Sequence, residues 1–238
     1  MDRIELSITL LAYQEAENLS HLLPSIKAAA AALTSNFELL VIDTEQPLDD
    51  TAAICAANNV RHIPRTGGNT YGDATRTAIA HARGQYLLNM DADGSHSPQY
   101  FASMWAQRER FDITIGSRYA PGGHTENPLV LIWMSYAVNL TFRIAFSIRA
   151  KDVTNSFRLY RKSILTPLHL RSNDFDILEE ILIKATLRTP PATITEVPVT
   201  FGRRKAGESK RNLVKFAFGY LKTLKRLKSF AADSRSKN

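Results

Sequence analysis

The sequence predicts an α/β protein with a mostly parallel central sheet flanked by helices, and three observations carry that expectation. Short apolar runs alternate with helical periodicities through the first half of the chain, as strands joined by crossover helices do. Three of the runs stop at Asp43, Asp91 and Arg118, the kind of polar ending found where open α/β sheets bind ligands. The 238 residues suit one large domain and would be cramped as two, while 44% hydrophobic and 22% charged residues exclude disorder for most of the chain.

Residues 4–11 read as the first strand, and residues 15–33 as a helix in which Leu19, Leu22, Leu23 and Ile26 recur at helical spacing and Pro24 can kink the axis. Residues 37–42 form a second strand ending in Asp43, before a polar loop and a short helix over 50–58. A third strand at 60–64 leads to the glycine-rich loop 66–72 and a helix reaching Ala82. The fourth strand, 85–90, opens into Asp91-Ala92-Asp93-Gly94, with Gly94 allowing a tight turn and Pro98 starting the next helix. Residues 111–118 supply a fifth strand. Residues 129–148 are the most apolar stretch; Asn139, Arg143 and the Ser and Thr content make a membrane span costly, so helices on the sheet or at a membrane interface are expected. Residues 156–161 alternate like a strand, residues 176–186 form a helix carrying Glu179 and Glu180, and residues 193–201 are extended before a basic loop, 202–209.

The net charge of +7 is not spread evenly. After Gly202 there are 12 Lys and Arg against 2 acidic residues, which leaves 18 against 21 in the body. Nucleic acid is therefore not an expected partner. In the last helix Leu213, Phe216, Ala217, Tyr220, Leu221, Leu224 and Leu227 share a face, with Lys215, Lys222, Lys225, Arg226 and Lys228 on the others. Such a helix either packs on the body or lies on an anionic membrane. The expected boundaries are a domain over 1–211, a basic amphipathic helix over 212–230 and a disordered tail over 231–238. The single Cys55 and an N-terminus without a basic-then-apolar pattern predict a cytoplasmic protein, peripheral on the inner face of the membrane and without a transmembrane helix.

Asp91 and Asp93 at a strand end are hard oxygen ligands suited to Mg²⁺ or Mn²⁺ holding a diphosphate, although Asp-x-Asp alone is a weak signal. The surrounding residues sharpen it. Residues 12–19 (Ala-Tyr-Gln-Glu-Ala-Glu-Asn-Leu), Asp43, Gly72-Asp73-Ala74, Met90 through Pro98, Gly116-Ser117-Arg118-Tyr119, Ser135, Asn139, Asp152, Phe157 through Arg161, Glu180, Glu196-Val197-Pro198-Val199, Phe201, Arg204 and Gly207 through Lys210 follow one another in a specific order. In these the chain resembles the family 2 glycosyltransferases of the GT-A fold, most closely the dolichol-phosphate mannose synthase-like branch that uses polyprenyl phosphates.

The resemblance implies inverting transfer from a nucleotide-diphosphate sugar of the GDP-mannose or UDP-hexose type, with Mg²⁺ or Mn²⁺ as cofactor. It places Ala12, Tyr13, Glu15, Asp43, Gly72, Asp91, Ala92, Asp93, Arg204, Ser209 and Lys210 around the donor, and Asp91, Asp93 and Ser95 around the metal. Asp93, Arg118 and Glu180 are the expected catalytic residues, with Arg118, Ser135 and Arg143 at the acceptor. A phosphate acceptor needs no strong base, whereas a saccharide hydroxyl would call on Glu180 or Glu179. Two departures bear on specificity. The loop after Asp43 is one residue longer than usual, with Thr44 in place of an acid, and Leu131 replaces an Arg that usually helps to hold the acceptor phosphate. A saccharide acceptor in surface polysaccharide synthesis is thus the alternative, and a non-catalytic nucleotide-sugar-binding protein a third reading that intact Asp91, Asp93 and Arg118 oppose.

Overall fold

The computed structural model of the chain describes residues 3–202 and 213–235, the latter segment with side chains from 219 to 232. Its centre is a seven-stranded sheet in the order β3-β2-β1-β4-β7-β5-β8. The strands are β1 (Leu6–Leu11), β2 (Phe37–Asp43), β3 (Arg61–Pro64), β4 (Tyr86–Asp91), β5 (Ile113–Ser117), β7 (Arg158–Arg161) and β8 (Ile194–Pro198). The first four run parallel, as predicted, with Leu11 opposite both Ile42 and Asp91. β7 departs from that direction: it is inserted antiparallel between β4 and β5, so its start, not its end, meets the ligand-facing edge. A small second sheet pairs β6 (His124–Thr125) with β9 (Thr200–Phe201).

Helices cover both faces, because alternate strand residues point to opposite sides. Leu6, Ile8 and Leu10 pack with Leu19, Leu22, Leu23 and Ile26 of α1 (Ala16–Ala31) and with Phe101 and Met104 of α4 (Phe101–Trp105). Pro24 lies within α1, which continues through it. On the other face Leu40 and Ile42 meet α3 (Tyr71–His81), and Leu87, Ile113 and Ile115 meet α7 (Ile177–Thr186). Short α2 (Thr51–Ala57) and α6 (Lys162–Leu165) complete the alternation. The start of α3 is set by a capping box: Thr70 Oγ1 accepts from the Asp73 N–H at 3.1 Å, and Asp73 Oδ2 accepts from the Thr70 N–H at 3.0 Å. That places Gly72 inside the helix and not in the preceding loop.

Two long helices lie beside the sheet. α5 (Leu129–Phe146) touches the core through Phe142, with Val138 and Phe146 partly buried beside it, and leaves Leu129, Val130, Trp133, Tyr136, Leu140 and Ile144 exposed. α8 (Leu213–Arg235) does the reverse: Tyr220, Leu227 and Ala231 are buried, and only Leu221 and Phe230 are exposed among its large apolar side chains that are described. The helix runs past the expected end at 230, since Ala231 is still packed. The side chains of Leu213, Lys215, Phe216 and Ala217 lie outside the described residues.

Candidate active site

The edge formed by the carboxyl ends of β1, β2, β4 and β5 brings Ala12, Asp43, Asp91 and Arg118 to one side of the sheet, as the strand endings predict. At its outer end Asp43 is buried and occupied: Oδ1 accepts the Thr44 N–H at 2.7 Å, and Oδ2 meets His62 Nε2 at 3.0 Å. Arg65 fills the space between β1 and β3, donating to the carbonyls of Ala12 and Asn69, with its guanidinium 5.9 Å from the Tyr13 ring centre. Tyr13 itself is exposed. Glu15 accepts from Asn18 Nδ2 at 2.7 Å. The loop after Asp43 is anchored by Asp49, whose oxygens take the N–H groups that open α1 (Ala16, 2.9 Å) and α2 (Thr51, 3.1 Å). Against burial, those N–H groups and the Thr51 hydroxyl hold the Asp49 carboxyl below its ordinary range.

At the centre Asp91 is oriented from three directions. Ser156 Oγ donates to Oδ2 at 2.9 Å, the Tyr71 hydroxyl stands 3.4 Å from Oδ1, and the backbone N–H donates to His96 Nδ1 at 3.0 Å. Burial, with the Asp91 charge beside it, pushes the Tyr71 phenol well above its usual value, so it remains a donor. Asp93 closes its own turn, Oδ1 accepting from the Ser95 N–H at 3.0 Å and Ser95 Oγ at 2.6 Å, which leaves Oδ2 without a partner among the described residues. Gly94 takes φ +80°, the left-handed turn expected of it. Among the described residues no group of three His, Cys, Asp or Glu side chains forms a ready metal cage. The pair still fits Mg²⁺ or Mn²⁺, which take one or two carboxylates and complete their shell with water and phosphate.

At the far end Arg118 forms a bidentate pair with buried Asp152, Nε and Nη2 meeting its carboxylate at 2.8 and 2.7 Å. Nη2 also reaches Thr154 Oγ1 at 2.7 Å and Ser135 Oγ of α5 at 3.2 Å, while the Tyr119 and Phe201 rings flank the guanidinium. Burial opposes its charge, but Asp152 more than restores it and raises the Arg118 pKa. Asn139 of α5 locks the loop from the other side, accepting the N–H groups of Val153 and Thr154.

The family model described as "Glycosyl transferase family 2" matches residues 7–168. The chain belongs to that family. This family 2 glycosyltransferase is 33% identical over 237 residues to a dolichol-phosphate mannosyltransferase of Pyrococcus furiosus, a match covering 97% of the chain and 65% of the relative's length. It is 31% identical to a dolichol-phosphate mannosyltransferase of Saccharomyces cerevisiae, over 95% of the chain and 88% of that protein. Among solved structures, glucosyl-3-phosphoglycerate synthase from Mycobacterium tuberculosis, in complex with Mn²⁺, uridine diphosphate and glucosyl-3-phosphoglycerate, superposes with a TM-score of 0.71. That match covers 95% of the chain and 80% of the synthase at 18% identity, which makes the GT-A fold a finding.

Three expectations for site residues change in this glycosyltransferase. Glu180 is not a free base: it accepts the N–H groups of Arg171 and Ser172, pairs with Lys184 at 2.8 Å and lies 3.6 Å from Arg226. Against burial, Lys184 and those N–H groups hold it below the usual carboxylate range, and the residue fastens the loop before α7 to α8. Gly72 is given over to packing: a Cβ there would lie 2.2 Å from the Ser172 carbonyl oxygen, so the glycine lets that loop cross α3. Arg143 stands two turns beyond Ser135, about 12 Å along the helix axis, and no contact joins it to Arg118. Arg204, Ser209 and Lys210 lie outside the described residues. Sequence reasoning assigned no role to Tyr71, Ser156, Asp152, Thr154 or Arg65, which hold the residues it did find. Ser156 and Asp152 both precede β7, whose antiparallel insertion has no local signature, and only an acid close before Phe157 could have pointed to Arg118.

Proposed function

We propose that this glycosyltransferase moves a hexose, with inversion, from a nucleotide-diphosphate sugar to a polyprenyl phosphate at a membrane surface. The carrying observation is the contact between Arg118 and Ser135: a largely buried cation touches the inner face of a helix whose outer faces are apolar and exposed. Trp133 is 71% and Ile144 73% exposed. A phosphate head on an apolar chain matches both halves of that arrangement, and Nη1 of Arg118 is the guanidinium nitrogen left without a partner among the described residues. The names of both relatives support mannose as the sugar.

Asp91 and Asp93 would hold Mg²⁺ or Mn²⁺ with the donor diphosphate. The metal supplies positive charge for the departing nucleoside diphosphate. Arg118 orients the acceptor phosphate, already anionic near neutral pH, so that one oxygen bonds to the anomeric carbon as the carbon–oxygen bond to the diphosphate breaks. The leaving oxygen keeps the electron pair and no proton has to be removed, which agrees with the commitment of Glu180 elsewhere. Tyr13, Glu15 and Arg65 would frame the nucleoside.

The helix α5 satisfies length and hydropathy for a span, with 18 residues. Ser135, Asn139 and Phe142 tie one face of it to the body, however, so we place it along the membrane interface. Lys222, Lys225 and Lys228 of α8 are exposed beside it, α8 meeting α5 where Tyr220 packs edge-on against Phe142, and would favour the anionic cytoplasmic leaflet. Incubation with radiolabelled donor and either undecaprenyl phosphate in vesicles or a panel of soluble saccharides tests the assignment. Label in the lipid fraction is expected; label confined to soluble saccharides would overturn it.

A further inference from the structure

His96 is buried among groups that permit one arrangement of its proton. The Nδ2 of Asn155 donates to the Gly116 carbonyl, so the amide turns Oδ1 toward His96 Nε2, 3.2 Å away. An amide oxygen only accepts, and Nε2 therefore carries the hydrogen. The other ring nitrogen, Nδ1, is left with a bare lone pair, and the Asp91 N–H donates to it at 3.0 Å. The imidazole is clamped in that plane, stacked on Phe157 at 4.8 Å and met edge-on by Phe201 at 5.3 Å. Each hydrogen bond in the row fixes the direction of the next. The row runs from the backbone of Asp91 to that of Gly116, two residues before Arg118.

We propose that His96, as the neutral Nε2–H tautomer, is a positioning residue for sugar transfer that holds the Asp91 backbone at a fixed spacing from the β5 strand end bearing Arg118. The proposal rests on Asp91 serving the donor and Arg118 the acceptor. A ring that only filled space would need neither of its hydrogen bonds. Positioning needs both, and the one to Asp91 weighs more, because a buried N–H left unpaired is costly.

Two nearly isosteric variants separate these cases. His96→Asn keeps an oxygen where Nδ1 accepts from Asp91, while His96→Gln can reach Asn155 but abandons Asp91. With the purified full chain, His96→Asn, which keeps the bond to Asp91 and loses the one to Asn155, should lower kcat by about three- to tenfold, and His96→Gln should lower it by roughly 30- to 100-fold, with acceptor KM within about twofold in both. Thermal-shift titration of GDP or UDP with Mn²⁺ should rank the variants in the same order; this arm reads donor binding alone, so it stands even if no polyprenyl phosphate accepts sugar. Imidazole ¹⁵N spectra of the parent should show Nε2–H, and the same tautomer should persist in Asn155→Gly, because the Asp91 N–H still faces Nδ1. Equal losses in the Asn and Gln variants, a parent-like His96→Phe, or an Nδ1–H ring in the parent would each overturn the proposal.

Discussion

The Asp91 end and the Arg118 end of this edge, the proposed donor and acceptor ends, are built on different plans. Around Asp91 and Asp93 the side chains are half-buried, and Asp93 keeps an oxygen unpaired among the described residues. Around Arg118 almost every group is already satisfied within the protein: Asp152, Thr154 and Ser135 share the guanidinium, and Glu196 holds the Asp152 and Lys151 N–H groups in turn. On the proposed reading the Asp91 end would receive a cation and a diphosphate, and the Arg118 end would be a rigid socket that offers one remaining edge of an arginine. Chemistry that needs charge supplied at the moment of bond breaking would then be sited where oxygens are open, and recognition of a single phosphate where geometry is fixed.

Removing charge from the open end should have the largest effect. Asp93→Asn keeps the side-chain size and should lower transfer by on the order of 100-fold or more, as loss of a preorganised electrostatic group does. Parent-like turnover in this variant, or in the parent with excess EDTA, would erase the distinction between the two ends.

A smaller effect is expected at the socket. Arg118→Lys retains the charge but not the fork that grips Asp152, so acceptor KM should rise by roughly tenfold while donor affinity stays within about twofold. Equal changes in the two constants would mean that both ends act as one site.

Vesicle binding should separate α5 from α8 by a few-fold at most in transfer assays. Trp133→Ser with Ile144→Ser should weaken co-sedimentation with phosphatidylglycerol vesicles at all salt concentrations, since apolar burial is not screened. Lys222, Lys225 and Lys228 changed together to Gln should weaken it mainly at low salt, because exposed charges are screened beyond about 8 Å at physiological ionic strength. The reverse salt pattern would return the apolar stripe of α8 to the membrane.

The two ends also differed in how well the sequence announced them. β1 to β5 were legible because buried strands and their polar endings are local in sequence, and Asp43, Asp91 and Arg118 accordingly arrived on one edge. The helical periodicity of α8 was equally plain, yet it could not say what the apolar face would meet; tertiary packing buried Tyr220 and Leu227 and left the apolar faces of α5 exposed. Glu180 failed as a base for the same reason. Its partners Arg171, Ser172 and Arg226 come from a loop and a helix that no local pattern brings together. Neither the bond of Asp152 to Arg118 nor the buried row through His96 leaves a spacing signature, since the first joins the end of β5 to the segment before β7 and the second adds the end of β4.

The adjacent carboxylates Glu179 and Glu180 give the finest test, with no change in transfer expected from Glu179. Glu180 has N–H and Lys184 partners; both oxygens of Glu179 are buried without a hydrogen bond of normal geometry. Burial pushes the Glu179 carboxyl up to about 8, against the opposing pull of Arg158. Below the ordinary glutamate range both folded and unfolded chains hold this proton. As pH rises from there toward 8 the unfolded chain releases it and the folded chain does not, so Glu179 makes the protein progressively less stable across that window. Glu180, held below its ordinary value, contributes stability that is present above that value and is lost only as pH falls through its folded pKa. Glu179→Gln should therefore flatten the decline, gaining on the order of 3 kcal/mol relative to the parent between pH 5 and pH 8 in urea unfolding. Glu180→Gln should lose stability at neutral pH and leave the decline in place. Unfolding curves for Glu179→Gln that run parallel to the parent across that range would mean that the carboxyl ionises inside the fold, with Arg158 as an effective counter-ion.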